Sequence, residues 1–242
     1  MIFIFVVEKN PRSIEAEMYA SLRTNLEYLA YNESLKSILI TSSEVSEGKT
    51  TIGGNLAISL TKNGKNAILV DCNLRKPSIY KCFDLENVCG VSDLLLGNVL
   101  LKDVIKEVGK GLHVITAGNM VDSPSEILCS EKIDELIGDL ENSYDYVILD
   151  APPILSFADS QILASKVQGT VLIIRAEKTK RKDIIDAKSI LDKIDAKIIG
   201  VVLNGVKTKK KTYRLFYKDI KEKKSKKAEN VITEGLNLSI NR

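Results

Sequence analysis

The sequence predicts an α/β protein in which a doubly wound, mostly parallel sheet is flanked by helices. Apolar segments alternate with segments of helical periodicity, which is typical of strands joined by crossover helices. The predicted strands are continuous apolar runs, as expected of strands that helices cover on both faces. With 242 residues, 44% of them hydrophobic, the chain is long enough for one such domain.

The elements follow one another along the chain. Ser13 is a suitable N-cap for a first helix, whose apolar residues from Ile14 onward follow helical spacing. Gly97 is expected to end a short helix, and Pro124 to precede a longer one. Helices are predicted from 14, from the loop after the first strand to about 62, and over 91–97, 125–140 and 182–194. Strands are predicted over 37–41, 67–71, 112–116, 146–150, 170–175 and 197–203.

Composition excludes several classes of protein. The first seven residues are apolar, but a bilayer takes about 20 residues to cross. They also lack the features of a signal peptide, so we expect an N-terminal edge strand or a packing arm. Four Cys without a C-x-x-C pair indicate a reduced, cytosolic compartment. The single His, His113, lies in a predicted strand, which argues against His-based catalysis.

Positive charge is concentrated near the C-terminal end. Residues 207–227 carry eleven Lys or Arg and two acids, a net charge of +9, whereas the whole chain carries +3. We therefore expect a folded domain over 1–206, with an N-terminal arm and helix in about 1–31, and a basic, flexible tail over 207–242. A solvated tail is favoured over attraction to a membrane surface, and nucleic-acid binding is the least favoured interpretation.

The most informative segment is the loop after the first strand. Residues 43–51 read Ser-Glu-Val-Ser-Glu-Gly-Lys-Thr-Thr, with Ser43 where the usual pattern has Gly. A strand, a loop with Gly-Lys-Thr and a helix form a phosphate cradle, in which backbone N–H groups point at phosphate oxygens. An ordinary turn with a surface Lys is the alternative. The loop residues predicted to bind a nucleotide are Ser46, Glu47, Gly48, Lys49, Thr50 and Thr51.

Two acids are expected beside this loop. Asp71 and Asp150 close the second and fourth predicted strands, and ligands of doubly wound sheets bind at such strand ends. Carboxylates and a Thr hydroxyl suit a Mg²⁺ ion that bridges phosphate oxygens. We therefore predict Thr50, Asp71 and Asp150 as metal ligands, and Lys49 with the two acids as catalytic residues. Either acid alone could instead be a helix cap or a surface charge.

Arg75 and Lys76 follow Asp71 closely in the sequence. Arg75 is predicted to contact the nucleotide, where it would neutralise phosphate charge. Binding of a partner subunit and a solvated basic loop are the alternatives.

Six motifs within residues 11–206 together carry a family resemblance. They are Glu17 with Leu-Arg-Thr-Asn at 22–25, Glu-Gly-Lys-Thr at 47–50, Leu-Arg-Lys-Pro at 74–77, Gly-Val-Ser-Asp-Leu-Leu at 90–95, Ser-Pro-Ser-Glu-Ile-Leu at 123–128, and Tyr-Asp-Tyr-Val-Ile-Leu-Asp-Ala-Pro-Pro at 144–153. The chain resembles the cytoplasmic kinase domain of bacterial tyrosine kinases of the capsular and exopolysaccharide type. This resemblance implies a P-loop NTPase fold, with Walker A at Lys49 and Thr50, a second acidic motif at Asp71 and Walker B at Asp150.

The resemblance also implies an activity. ATP and Mg²⁺ would be the cofactors of a protein-tyrosine kinase that phosphorylates itself and controls polysaccharide synthesis and export. Asn204 would lie near the base of the nucleotide, unless it is simply a polar residue at a strand end. Tyr213 and Tyr217 in the tail would accept phosphate, unless their segment packs against the domain.

Partners follow from the same resemblance. A transmembrane activator, which regulates polysaccharide chain length, would hold the cytoplasmic chain at the inner face of the cell membrane. Protein tyrosines would be the substrates. A ring-like homo-oligomer would use contacts at Glu17 and Arg23.

Departures from the family pattern keep two alternatives open. Asn73 stands in place of a second acid, Val45-Ser46 in place of Pro-Gly, and Ala20 in place of an Arg, and the tail has only two Tyr. One alternative is therefore a nucleotide-binding regulatory subunit without catalysis. The other is a non-kinase ATPase switch of the partitioning type, although such proteins carry a Lys where this chain has Glu44.

Overall fold

A computed structural model describes residues 5–207 of the chain. Within these residues the strands are β1 (Ser37–Ser42), β2 (Ala67–Asp71), β3 (Lys106–Gly109), β4 (Leu112–Ile115), β5 (Tyr146–Asp150), β6 (Gly169–Arg175) and β7 (Ile198–Asn204). They form one sheet in the order β3-β4-β2-β5-β1-β6-β7. Every neighbouring pair is parallel except β3 and β4, which are antiparallel.

Helices connect the strands. In chain order they are α1 (Val6–Lys9), α2 (Ile14–Glu33), α3 (Lys49–Lys62), α4 (Ile79–Cys82), α5 (Val91–Leu96), α6 (Leu101–Val104), α7 (Pro124–Cys129), α8 (Glu131–Ser143), α9 (Ala158–Ala164) and α10 (Arg181–Lys193). Two separate apolar clusters pack on the central strands, one with α2 and α3 and the other with α5, α7, α8, α9 and α10. The predicted doubly wound, mostly parallel architecture is confirmed.

The central strands are buried because both of their faces are covered. All residues of β1, β2 and β5 are buried, as their continuous apolar sequences predict. The Ser13 hydroxyl accepts a hydrogen bond from the Ala16 N–H and caps α2, as expected. Gly97 has φ of 82° just after α5, which is the left-handed conformation that ends helices.

The N-terminal arm does not form the predicted edge strand where it is described. Residues from Val6 onward form the short helix α1, and Phe5 and Val7 are buried. Asn55 of α3 accepts a hydrogen bond from the Val7 N–H at 3.0 Å, and the Lys62 ammonium donates to the Val7 carbonyl. Side chains of α3 therefore satisfy the backbone groups that a neighbouring strand would otherwise pair.

The single helix predicted over 125–140 is wrong, because two helices meet at Ser130. The backbone of Ser130 is extended, with φ of −67° and ψ of 159°. Its hydroxyl donates to the Ile127 carbonyl at 2.7 Å. Such a local side-chain bond competes with continuation of the helix.

The sequence patterns also missed some short elements. The edge strand β3 alternates half-buried and exposed residues, so it lacks the continuous apolar run used to recognise strands. Within residues 5–207, no helix is both long and apolar enough to cross a membrane.

Two consecutive glycines let α3 pack closely on both sides. A Cβ at Gly53 would lie 3.3 Å from the Ile40 side chain in β1. A Cβ at Gly54 would overlap the ring of Phe5, which itself packs 4.7 Å, between ring centroids, from Phe83. These contacts fix the position of α3, which begins directly after the loop of residues 43–48, named the phosphate loop.

We predict that Gly54→Ala lowers the free energy of unfolding by about 1–3 kcal/mol, because the added methyl displaces Phe5. Gly138→Ala in α8 is the matched control, since a Cβ there meets no atom within 4 Å. The control should be neutral or stabilising by up to about 1 kcal/mol. Urea unfolding measures both, and equal effects of the two substitutions would contradict this account.

Candidate functional site

The loop between β1 and α3 has the backbone of a phosphate cradle. Ser46 and Gly48 both have positive φ, of 59° and 101°. A Cβ at Gly48 would overlap the side-chain amide of Asn204, so this position needs glycine for two reasons. α3 begins directly after Gly48, so the unpaired N–H groups of its first turn border the loop.

Lys49 is held inside this loop. Its side chain is largely buried, and its ammonium donates to the Ser42 hydroxyl at 2.9 Å. Burial lowers the pKa of Lys49, while the nearby carboxylates of Asp150 and Glu47 act in the opposite direction. The ammonium therefore lies at the end of β1, where its hydrogen-bond partner is a neutral hydroxyl. An anion in the same place would accept a stronger hydrogen bond.

Asp71 and Asp150 lie side by side in the sheet. They are register partners at the ends of the parallel strands β2 and β5, which places their backbones about 4.8 Å apart. Both side chains are fully buried. Asp71 accepts hydrogen bonds from the backbone N–H groups of Asn73, Ser78 and Ile79, at 3.2, 3.0 and 3.0 Å.

Asp150 is less completely bonded than Asp71. Its Oδ2 accepts a hydrogen bond of 2.5 Å from the Thr50 hydroxyl, which also lies 3.0 Å from the Ser78 hydroxyl. Its Oδ1 is buried and has no hydrogen-bond partner within the described residues. Since an unpaired buried carboxylate oxygen is costly, this atom is one that a ligand would satisfy.

Burial perturbs the pKa of both acids, and charge repulsion adds to the shift at Asp71. Burial raises the pKa of Asp71 to about 7, and the neighbouring Asp150 charge adds to that shift. Burial raises the pKa of Asp150 to about 6, although Thr50 and Lys49 act against the shift. Two neighbouring carboxylates with raised pKa values are typical of functional sites.

The donor set fits a magnesium ion. Two carboxylates and the Thr50 hydroxyl are hard oxygen ligands, and Mg²⁺ is usually held by one or two carboxylates with water and phosphate oxygens. The unpartnered Oδ1 of Asp150 is free to act as such a ligand. The described residues contain no cluster of three or more His, Cys, Asp or Glu, so the protein alone offers an incomplete coordination shell.

The loop carbonyls are bonded from the side of β6 and β7. Lys178 donates to the Val45 carbonyl at 2.5 Å, Arg175 to the Ser46 carbonyl at 3.0 Å, and Asn204 to the Glu47 carbonyl at 2.8 Å. In a planar trans peptide the next N–H points opposite to the carbonyl. The N–H groups of residues 46–48 are therefore directed away from β6 and β7, which is the orientation that an anion-binding nest requires.

Two predicted nucleotide contacts have other bonds in the structure. The guanidinium of Arg75 makes a bidentate ion pair with the buried Asp159, with N···O distances of 2.8 and 3.0 Å. It also donates to Ser125 at 3.0 Å and lies over the Phe157 ring. The Glu47 side chain is buried and accepts from the Glu44 N–H at 3.0 Å. Their predicted roles toward a nucleotide stay predictions, as does that of Thr51 in the first turn of α3.

The predicted oligomer contacts lie on α2, remote in sequence from the loop. Glu17 is exposed. Arg23 donates to the Ser59 carbonyl of α3 at 3.1 Å and lies 3.7 Å from the Glu27 carboxylate, so it already packs within its own chain. Tyr213 and Tyr217 lie outside the described residues.

Sequence reasoning missed the loop that follows β6. Arg175, Lys178 and Thr179 all bond the phosphate loop through side chains. The rule that ligands bind beyond the carboxyl ends of strands applies to β6 as it does to β2 and β5. That rule could have identified these residues.

We predict that Asp150→Asn stabilises the nucleotide-free chain at pH 8. The folded pKa of Asp150 is raised to about 6, so the folded state binds more protons than the unfolded state, and stability falls as pH rises through that range. Removing the charge should raise the free energy of unfolding at pH 8 by roughly 1–3 kcal/mol. The gain should vanish below about pH 3, where Asp150 is protonated in both the folded and the unfolded state.

Urea unfolding in the presence of a chelator measures this effect. Asp139→Asn, which removes an exposed acid on α8, should change stability by less than about 0.5 kcal/mol. A loss of stability at pH 8 in Asp150→Asn would show that the buried charge does not oppose folding.

Comparison with known proteins agrees with this geometry. Residues 35–180 match the AAA domain family. The tyrosine-protein kinase YwqD of Bacillus subtilis is 36% identical over 208 residues, which cover 86% of this chain and 88% of that protein. The solved kinase domain of the Escherichia coli tyrosine kinase ETK is 29% identical, with a TM-score of 0.82, and the match covers 85% of this chain and 81% of that one.

A more distant structure shows the extent of the shared fold. The septum site-determining protein MinD of Pyrococcus horikoshii has a TM-score of 0.60 at 23% identity, over 69% of each chain. This likeness concerns the fold alone, which is that of P-loop NTPases. The Gly-Lys-Thr loop and the paired strand-end acids agree with the similarity to YwqD, most of whose length the match covers, and the chain belongs to the bacterial tyrosine kinases of the capsular and exopolysaccharide type.

Proposed function

We propose that this chain is an ATP- and Mg²⁺-dependent protein-tyrosine kinase that acts in capsular or exopolysaccharide synthesis and export. The observation that carries the proposal is the pair of buried acids in register at the ends of β2 and β5, beside Lys49. It is supported by the kinases to which the chain is similar. An ATP-driven switch without kinase activity would use the same arrangement, so the similarity to tyrosine kinases is what favours the kinase.

The residues of the loop would hold the phosphates. The N–H groups of residues 46–48 and the Lys49 ammonium would bind phosphate oxygens, where the ammonium exchanges its bond to Ser42 for a charged partner. Mg²⁺ would be held by Thr50, Asp71 and Asp150. The Oδ1 atom of Asp150, which has no hydrogen-bond partner within the described residues, would then contact the ion. The ion, when bound, neutralises charge that develops on the phosphate oxygens.

A buried carboxylate would accept the proton of the incoming tyrosine. The phenol oxygen forms a bond to the terminal phosphorus as the bond between that phosphorus and the ADP oxygen breaks. A phenol with a pKa near 10 is a poor nucleophile until it loses its proton. Either Asp71 or Asp150 would be this acceptor, since a positioned carboxylate at the strand ends can take the phenol proton as the new bond forms.

The remaining expectations concern the tail and the partners. Residues 1–206 would form the catalytic domain and 207–242 a basic tail, in which Tyr213 and Tyr217 accept phosphate. Each phosphate adds about −1.5 to −2 charges at neutral pH, in a segment of net charge +9 over residues 207–227. A transmembrane activator would hold the chain at the cytoplasmic side of the membrane, and copies of the chain would contact one another near Glu17 on α2.

We predict that the intact chain with ATP and Mg²⁺ acquires phosphotyrosine, detected by mass spectrometry at Tyr213 and Tyr217. Lys49→Ala should reduce the amount at least about 100-fold, because a preorganised cation beside the transferred phosphoryl group is lost. Lys65→Ala, which removes an exposed lysine after α3, is the matched control and should behave as wild type.

Two outcomes would oppose the proposal. Equal phosphorylation by wild type and Lys49→Ala would mean that the phosphate loop is not the catalytic centre. ATP hydrolysis by wild type with no phosphotyrosine on the chain or on an added Glu/Tyr copolymer would favour the ATPase switch instead.

A further inference from the structure

The loop between β6 and α10 is closed on itself. In residues 175–179, the Thr179 N–H donates to the Arg175 carbonyl at 2.9 Å, and the Arg175 N–H donates to the Thr179 hydroxyl oxygen at 2.7 Å. Glu177 within it has φ of 61°. The Ala176 N–H bonds the Asn204 carbonyl at 2.8 Å and ties the loop to β7. We name residues 175–179 the clamp turn.

The clamp turn meets the phosphate loop at the Glu47 carboxylate. One oxygen of this buried carboxylate accepts from the Thr179 hydroxyl, and the other accepts from the Glu44 N–H at 3.0 Å. The Thr179 hydroxyl is therefore bonded on both sides, as acceptor from Arg175 and as donor to Glu47. A hydrogen bond to a buried charge is stronger than a neutral one and costly to leave unmade.

Three further bonds depend on the position of the clamp turn and β7. Arg175 and Lys178 bond the Ser46 and Val45 carbonyls, and Asn204 bonds the Glu47 carbonyl. These carbonyls have to face β6 and β7 for the three following N–H groups to face the cradle. Ser46 also holds a positive φ of 59°, a conformation that is unfavourable for a residue other than Gly and has to be imposed by its surroundings.

We infer that Thr179, through its bond to Glu47, is a positioning residue for nucleotide binding: the clamp turn holds the phosphate loop in the conformation that receives a nucleoside triphosphate or diphosphate. This inference rests on the proposed function for its ligand. Thr179 touches no reacting atom; it acts through Glu47 and through the orientation of the Arg175 and Lys178 side chains. Residues 45–46 are Val-Ser rather than Pro-Gly, so they do not restrict the backbone as that pair would. In this chain the clamp turn restricts the same backbone through hydrogen bonds to its carbonyls.

Calorimetric titration of the intact chain with Mg-ADP tests the inference. Thr179→Val keeps the shape of the side chain but loses the hydroxyl, and should weaken Mg-ADP affinity roughly tenfold or more, since a hydrogen bond to a charged group is lost. Thr179→Ser restores the hydroxyl and should stay within about threefold of wild type. Thr24→Val is the matched control, because the Thr24 hydroxyl bonds only the Ala20 carbonyl of its own helix at 2.9 Å.

A double-mutant cycle locates the effect. If the loss of affinity in Thr179→Val comes from the broken bond to Glu47, the losses in Glu47→Ala and Thr179→Val should not be additive in the double variant. The effects of Glu47→Ala and Thr24→Val should be additive. Melting temperatures of all variants separate affinity from stability. A Thr179→Val chain that melts earlier but binds Mg-ADP as wild type does would overturn the inference.

Hydrogen exchange of the nucleotide-free chain provides a readout that does not need a ligand. Amides of residues 43–51 should exchange faster in Thr179→Val than in wild type, Thr179→Ser or Thr24→Val. If wild type itself binds no Mg-ADP, the proposed function fails, and hydrogen exchange alone decides whether the clamp turn orders the loop. Unchanged amide exchange of residues 43–51 in Thr179→Val would refute the inference that the clamp turn orders the phosphate loop.

Discussion

The candidate site is built around two carboxylates that the pairing of β2 and β5 places side by side. Asp71 and Asp150 end neighbouring parallel strands in register, and both are buried. Their charged forms oppose folding, chiefly because both carboxylates are buried, and this cost appears as raised pKa values of about 7 and about 6. The fold tolerates this cost because the apolar residues of β1, β2 and β5 are all buried and stabilise the folded state. Such a cost is typical of a site that a cation completes.

The surrounding elements hold the other half of the site. α3 is fixed against β1 by Gly53 and against the N-terminal arm by Gly54, so the helix that begins at Lys49 has little freedom. The phosphate loop is bonded from the opposite side by Arg175, Lys178 and Asn204. The predicted anion cradle thus lies on the loop and the start of α3, whereas the two predicted carboxylate ligands of the cation end β2 and β5. The sheet brings them together at one edge.

Much of this arrangement could be predicted from the sequence. Continuous apolar runs identify buried strands, and a parallel sheet places their carboxyl ends at one edge, so the proximity of Asp71, Asp150 and the loop follows from the order of the elements. The break at Ser130 could not be foreseen, because it depends on one hydroxyl bonding back to a carbonyl. The bond between Glu47 and Thr179 could not be predicted from the sequence either, because it joins residues 132 positions apart that meet only in the folded chain.

Proton release on binding of Mg-ADP tests the central claim most directly. Calorimetry at pH 6.5, in two buffers of different ionisation enthalpy, gives the number of protons released when the ion binds. We expect net proton release in wild type, because the buried pair is partly protonated at this pH, and less release in Asp150→Asn. Binding that releases no protons and is equally tight with and without Mg²⁺ would contradict it.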